Sequence, residues 1–145
     1  MLADNLKTLL ASSFSLYLKA SNFHWNVEGQ NFPQYHDFLG DLYSEIYGTI
    51  DPIAEYIRAL DQYAPGSLTR FQELTLIKDQ ISQIAPTEQF LELLDDSTIL
   101  LEYLNKTFEV ATIENQQGIA NFIGERIDAM QKHNWMLRSI LKTTK

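Results

Sequence analysis

His24, His36, Asp51 and Glu55 place two imidazoles and two carboxylates in the stretch 24–55, a set of groups that binds divalent transition metals. Asp51 and Glu55 are four apart, so on a helix they share one face, where like charges repel by about 0.2–0.5 kcal/mol unless a cation joins them. His36 precedes Asp51 by 15 residues, which in continuous helix is about 22 Å, too far for one chain to close the site. If two copies of the segment pack antiparallel, with His36 of one opposite positions 51–55 of the other, a two-fold axis falls near Ser44. Gly40, Ser44 and Gly48 then line the contact as a stripe of small residues, with Gly40 expected to face Gly48 of the partner. His24 lies two residues before the turn at Asn26–Gln30 and His36 six residues after it, so a reversing chain is expected to bring both histidines to one end. The expected site takes His24 and His36 from one chain and Asp51 and Glu55 from its mate. Iron, manganese and zinc all suit these ligands. Taken singly, His24 also reads as a capping or packed histidine, and Glu55 as a partner for Arg58 one turn on.

The elements that must position these groups are helical. Leu2, Leu6, Leu9, Leu10, Phe14, Leu16, Tyr17 and Phe23 recur at helical spacing, predicting a first long helix over residues 3–25. Asn26–Asn31, with Gly29, forms the turn. A second helix starts near Phe32-Pro33 and runs to about Leu60, kinked where the ring of Pro52 meets the carbonyl of Gly48. The competing reading ends that helix near Tyr47 and starts a new one with Asp51 as N-cap and Pro52 at the first helical position. Asp61–Ser67 is a loop and Leu68–Ile84 a short connecting helix. Ala85-Pro86 breaks the chain again, and Thr87 caps a helix over Glu88–Ile113. Glu114–Gly118 is a turn, and a last helix covers Ile119–Leu141. No strand or repeat is expected. The fold class is all-α: one domain over residues 1–145, a four-helix bundle with a short extra helix in its long second connection.

At 145 residues the chain is long enough to bury a core without crosslinks, and the absence of cysteine excludes disulfides and thiolate chemistry and fits a cytoplasmic location. Neither a signal sequence nor an apolar run long enough to cross a membrane is evident. A net charge of −8 disfavours binding to phosphate backbones.

The segment His24-Trp25-Asn26-Val27-Glu28-Gly29 with Phe32, His36 and Asp51-x-x-Ala54-Glu55, joined by Asn115-Gln116-x-Gly118 and Trp135-Met136-Leu137-Arg138, resembles the signature of the Dps family, the miniature ferritins of bacteria. The resemblance spans essentially the whole chain. It implies a ferritin-like bundle that assembles as a hollow dodecamer, oxidises Fe(II) with hydrogen peroxide or oxygen at inter-subunit sites, and stores Fe(III) inside, protecting against oxidative stress. By the same resemblance His24, His36, Asp51 and Glu55 carry over as iron ligands, Trp25 sits beside the site, and no organic cofactor is needed. The Glu-x-x-His pairs of conventional ferritins, which hold metals inside a bundle, are absent. His133, the remaining histidine, reads as a surface or contact residue. One departure stands out: the family pattern has an Asp four residues after the second histidine, and here that position is Gly40. Asp37 and Asp41 are each one residue away from it, about 100° round the helix. The second iron position is therefore expected to be weak. The alternatives are a shell with an impaired or inactive ferroxidase site that sequesters metal, or a DNA-protecting nucleoid protein. DNA binding is expected to be weak or absent, because Lys7 is the lone basic residue among the first 18 and Lys142-Thr-Thr-Lys145 is short.

Overall fold

In the computed structural model, which describes residues 1–142, six helices and no strand make up the regular structure. They are α1 (Leu2–Asn26), α2 (Phe32–Tyr47), α3 (Ile50–Ala59), α4 (Leu68–Leu74), α5 (Pro86–Ile113) and α6 (Gln117–Leu141). Leu2, Leu6, Leu9, Leu16, Ala20 and Phe23 form the buried stripe of α1, at the three- and four-residue spacing that keeps a helix face turned to a core. That stripe packs on α2, α3, α4 and α5, while α5 and α6 form the second antiparallel pair. The all-α four-helix arrangement with one long crossover is as expected.

α1 turns into α2 through Gly29, whose φ of +119° suits glycine, and Pro33 lies in the first turn of α2, where its missing N–H costs nothing. The second long helix is not continuous to Leu60. It stops at Tyr47 and restarts at Ile50, between the two readings: a break at Gly48-Thr49, but with Thr49 rather than Asp51 before the new helix. Pro52 explains the break, because it has no N–H to offer the Gly48 carbonyl, and Thr49 closes the gap by donating its hydroxyl to the Ile46 carbonyl at 2.7 Å. Both residues keep right-handed φ and ψ, so the chain bends rather than turns away.

The connecting helix is shorter than expected. α4 ends at Leu74, and residues 75–85 are irregular instead of continuing helical to Ile84. Side-chain hydroxyls compete with the helix here: Ser12 Oγ accepts from the Leu76 amide at 3.0 Å, and Thr75 Oγ1 accepts from the Ile77 amide at 3.1 Å and from Ser15 at 2.8 Å. Ile77 is thereby pinned into the core. α5 starts at Pro86 itself, two residues earlier than a Thr87 cap would allow. It ends with Asn115 in the left-handed region (φ 59°), where the Gln116 amide reaches the Ala111 carbonyl at 2.9 Å.

Two polar ties cross the bundle. Lys19 on α1 is buried and ion-paired to Asp96 at 2.7 Å and Glu92 at 2.8 Å on α5. Burial pushes the Asp96 carboxyl up against the pull of Lys19, whereas at the less buried Glu92 the hydrogen bonds from Lys19 and Gln80 outweigh burial and hold its pKa below the usual value. Arg126 on α6 forms a two-pronged pair with Glu45 on α2, at 2.5 and 3.1 Å.

Candidate metal centre

The α1–α2 turn brings His24 and His36 face to face. Their rings stack with centroids 3.7 Å apart and planes 17° from parallel. Each ring is fixed by the other residue's backbone: His24 Nδ1 is 2.7 Å from the His36 carbonyl, and His36 Nδ1 is 2.7 Å from the His24 carbonyl. A carbonyl only accepts, so each Nδ1 carries a proton and donates, and in the neutral tautomer that this selects Nε2 holds the lone pair a metal would take. Backbone carbonyls that orient an imidazole in this way set the tautomer a metal ligand needs. Both residues are half-buried, and the pair is closed in by Phe32, stacked on His36 at 4.9 Å, and by Tyr43, edge-on to His24 at 5.2 Å.

Gly40 belongs to the same arrangement. A Cβ at that position would lie 3.0 Å from His24 Cε1 and 3.2 Å from His24 Nδ1, so its side-chain direction is occupied by the His24 imidazole of the same chain. Glycine at position 40 thus has an intrachain reason, separate from the expectation that it faces Gly48 of a partner. The departure at position 40 and the close seating of His24 are one feature.

Asp51 and Glu55 sit in the first and second turns of α3 with their side chains exposed, on the face opposite the buried Ile53 and Ile57. Arg58 does not neutralise Glu55. Its guanidinium lies 4.7 Å from the Tyr63 ring centroid and donates to the Gln62 carbonyl at 3.0 Å. Among the described residues no group of three or more His, Asp or Glu side chains converges within one chain. The protein thus carries two half-sets, an imidazole pair at the α1–α2 turn and a carboxylate pair on α3.

His133 is not a surface residue. It is 5% exposed, and its Nε2 is 3.4 Å from Glu45 Oε1, a carboxylate from α2. Burial lowers its pKa below the ordinary 6.5, and the nearby Arg126 and Lys132 charges add to that against the pull of Glu45. Residue spacing along α6 does not reveal this partner, because Glu45 lies on α2. The carboxylate that His133 faces comes from another helix, and the remaining clue is that His133 falls on the α6 face shared with Met130 and Leu137, which are buried.

A family model described as a ferritin-like domain matches residues 3–145. The chain is 29% identical over 142 residues to a DNA protection during starvation protein from Brevibacillus brevis, covering 98% of this chain and 95% of the relative. It is 30% identical over 135 residues to a low temperature-induced protein from Nostoc, covering 92% and 75%. Among solved structures, Dps from Bacillus brevis superposes with a TM-score of 0.94 at 29% identity over 97% of this chain and 95% of that one. Dps from Staphylococcus aureus gives 0.95 at 28% identity over 99% and 96%. The structure of a Vibrio cholerae Dps, described as a member of the ferritin-like diiron-carboxylate proteins, gives 0.93 at 28% identity over 97% and 89%.

Proposed function

Since this chain belongs to the Dps family within the ferritin-like domain, we propose that it is an iron-binding miniferritin that oxidises Fe(II) at sites shared between two subunits of a hollow homo-oligomer and stores Fe(III) inside. The observation that carries the reading is the reciprocal latch between His24 and His36, which leaves both Nε2 atoms as free donors in a half-site that one chain cannot complete. In the proposed site His24 and His36 of one subunit hold the substrate Fe(II), and Asp51 and Glu55 of the facing subunit supply the negative charge that favours Fe(III) as it forms. The carboxylates do this without a neutralising cation of their own, since Arg58 is engaged elsewhere. Hydrogen peroxide or oxygen is the electron acceptor. No organic cofactor takes part.

Gly40 bears on stoichiometry. It offers no carboxylate beside His36, and the space a side chain would need holds His24. We therefore assign one tightly held iron to each site and a weak second position. The test is anaerobic Fe(II) titration followed by peroxide, on the wild type and on Glu55→Ala. About one equivalent per subunit and rapid oxidation are expected for the wild type, with oxidation slowed in Glu55→Ala by roughly 10–100-fold, the scale on which loss of a supporting group at a metal site is felt. Full activity in Glu55→Ala would remove this site from the chemistry.

A further inference from the structure

α2 packs closely on α1, and α6 on α5, but the seam between α2 and α6 is wide. A cavity of about 490 Å³ opens along it, within the size range of small-molecule sites, and none of its lining residues belongs to the proposed iron site. Phe38 and Leu42 from α2, with Ala129 and Met136 from α6, give it apolar surface. The same two helices bring Asp41, Glu45, Glu125 and Asp128 to its walls, each of them solvent-exposed. Arg126 is paired with Glu45, and Lys132 offsets one further carboxylate, so two negative charges are left over at the cavity.

His133 supplies an independent sign of a ligand. It lines the cavity at 5% exposure, and its Nδ1 has no hydrogen-bond partner among the described residues. Buried polar atoms are nearly always paired, so an orphan at the wall of a cavity marks where a bound molecule supplies the partner. Nε2 faces the Glu45 carboxylate at 3.4 Å, which favours the ring proton on Nε2 and leaves Nδ1 as an acceptor. Burial holds the pKa of the ring below 6.5, so His133 is neutral at pH 7 and does not repel a cation. A bare divalent metal does not suit the groove, because among the described residues no three His, Asp or Glu side chains converge, and part of the lining is apolar. We propose that the α2–α6 groove binds a small organic cation, an ammonium group on an aryl or alkyl body, with the body against Phe38, Leu42 and Met136 and the ammonium donating to the carboxylates of the two helices and to His133. Charge and apolar contact then select one molecule together, a combination that neither an inorganic cation nor an uncharged apolar compound meets.

The probe is phenethylammonium chloride, titrated calorimetrically at physiological salt into the assembled, iron-free wild-type protein. Saturable binding of about one molecule per subunit is expected, as one such groove is formed by each chain. Methylammonium, which lacks the body, and phenylacetate, which reverses the charge, should each bind more weakly by about tenfold or more, the scale of losing a contact to a charged group or the burial of a small apolar body. The paired variant Asp41→Asn/Asp128→Asn, at two exposed positions, should weaken phenethylammonium binding by about tenfold. His133→Phe keeps a ring, removes the acceptor and should weaken it several-fold, while the ligand series on the wild type reads the same question without any substitution. Four results overturn the proposal: no saturable phenethylammonium binding, equal affinity for methylammonium, displacement of the probe by an equal concentration of Mg²⁺, or binding indifferent to Asp41→Asn/Asp128→Asn. The proposed iron chemistry stands or falls separately.

Discussion

At the scale of single residues, a hydrogen atom at position 40 lets two imidazoles stack. Adding even one methyl group there puts carbon 3.0 Å from His24 Cε1, and the ring has little freedom to retreat because its Nδ1 is tied to the His36 carbonyl. Gly40→Ala is therefore expected to destabilise the fold by about 1–3 kcal/mol, the usual cost of overpacking, and to weaken Fe(II) binding in the same variant. Urea unfolding and anaerobic titration measure the two effects, and a variant as stable as the wild type would show that the histidine pair is looser than its geometry. His133 yields a second prediction. Its folded pKa lies below 6.5, so between that lowered value and 6.5 the unfolded chain holds a proton the folded chain refuses. Stability from this group is present above 6.5 and lost as pH falls through that window. Unfolding across pH should show a shallower acid-side slope for His133→Gln, and an identical slope would assign the loss to other groups. The spacing of the histidines about the turn and the four-residue spacing of Asp51 and Glu55 were legible in the sequence, because helix geometry fixes both. The fit of His24 over Gly40 and of His133 against Glu45 was not, since each depends on how separate helices face one another.

At the scale of elements, Lys19 ties α1 to α5 from inside the bundle, and its removal leaves Asp96 buried without its cation. Lys19→Met should destabilise the protein by about 3 kcal/mol, less than the upper range for a buried pair because Glu92 remains partly solvated. Chemical unfolding checks this, and a change under half that size would mean the charges are relaxed by water. The long helices could be read from apolar spacing, because burial of a stripe dictates it. Two of the misjudged boundaries have local causes that apolar spacing does not report. One is the proline that interrupts the second long helix at Gly48-Thr49, and the other is the set of hydroxyls on Ser12, Ser15 and Thr75 that ends α4 early.

At the scale of the whole molecule, the proposed iron site joins half-sets from two subunits. Twelve copies at −8 each would carry about −96, a field that draws Fe(II) inward and repels nucleic acid. Plasmid DNA should not be shifted at physiological salt, and a tight, salt-sensitive complex would contradict this. No described helix is long and apolar enough to cross a membrane. The central claim, that each iron site is built from two chains, is tested most directly by complementation. His24→Ala/His36→Ala subunits and Asp51→Ala/Glu55→Ala subunits should each assemble into inactive particles. Unfolded together and refolded as a mixture, they should regain about a quarter of the wild-type oxidation rate, since random pairing across a two-fold interface makes half the dimers mixed and each mixed dimer restores one site of its two. Mixed particles that stay as inactive as either parent would contradict the shared site.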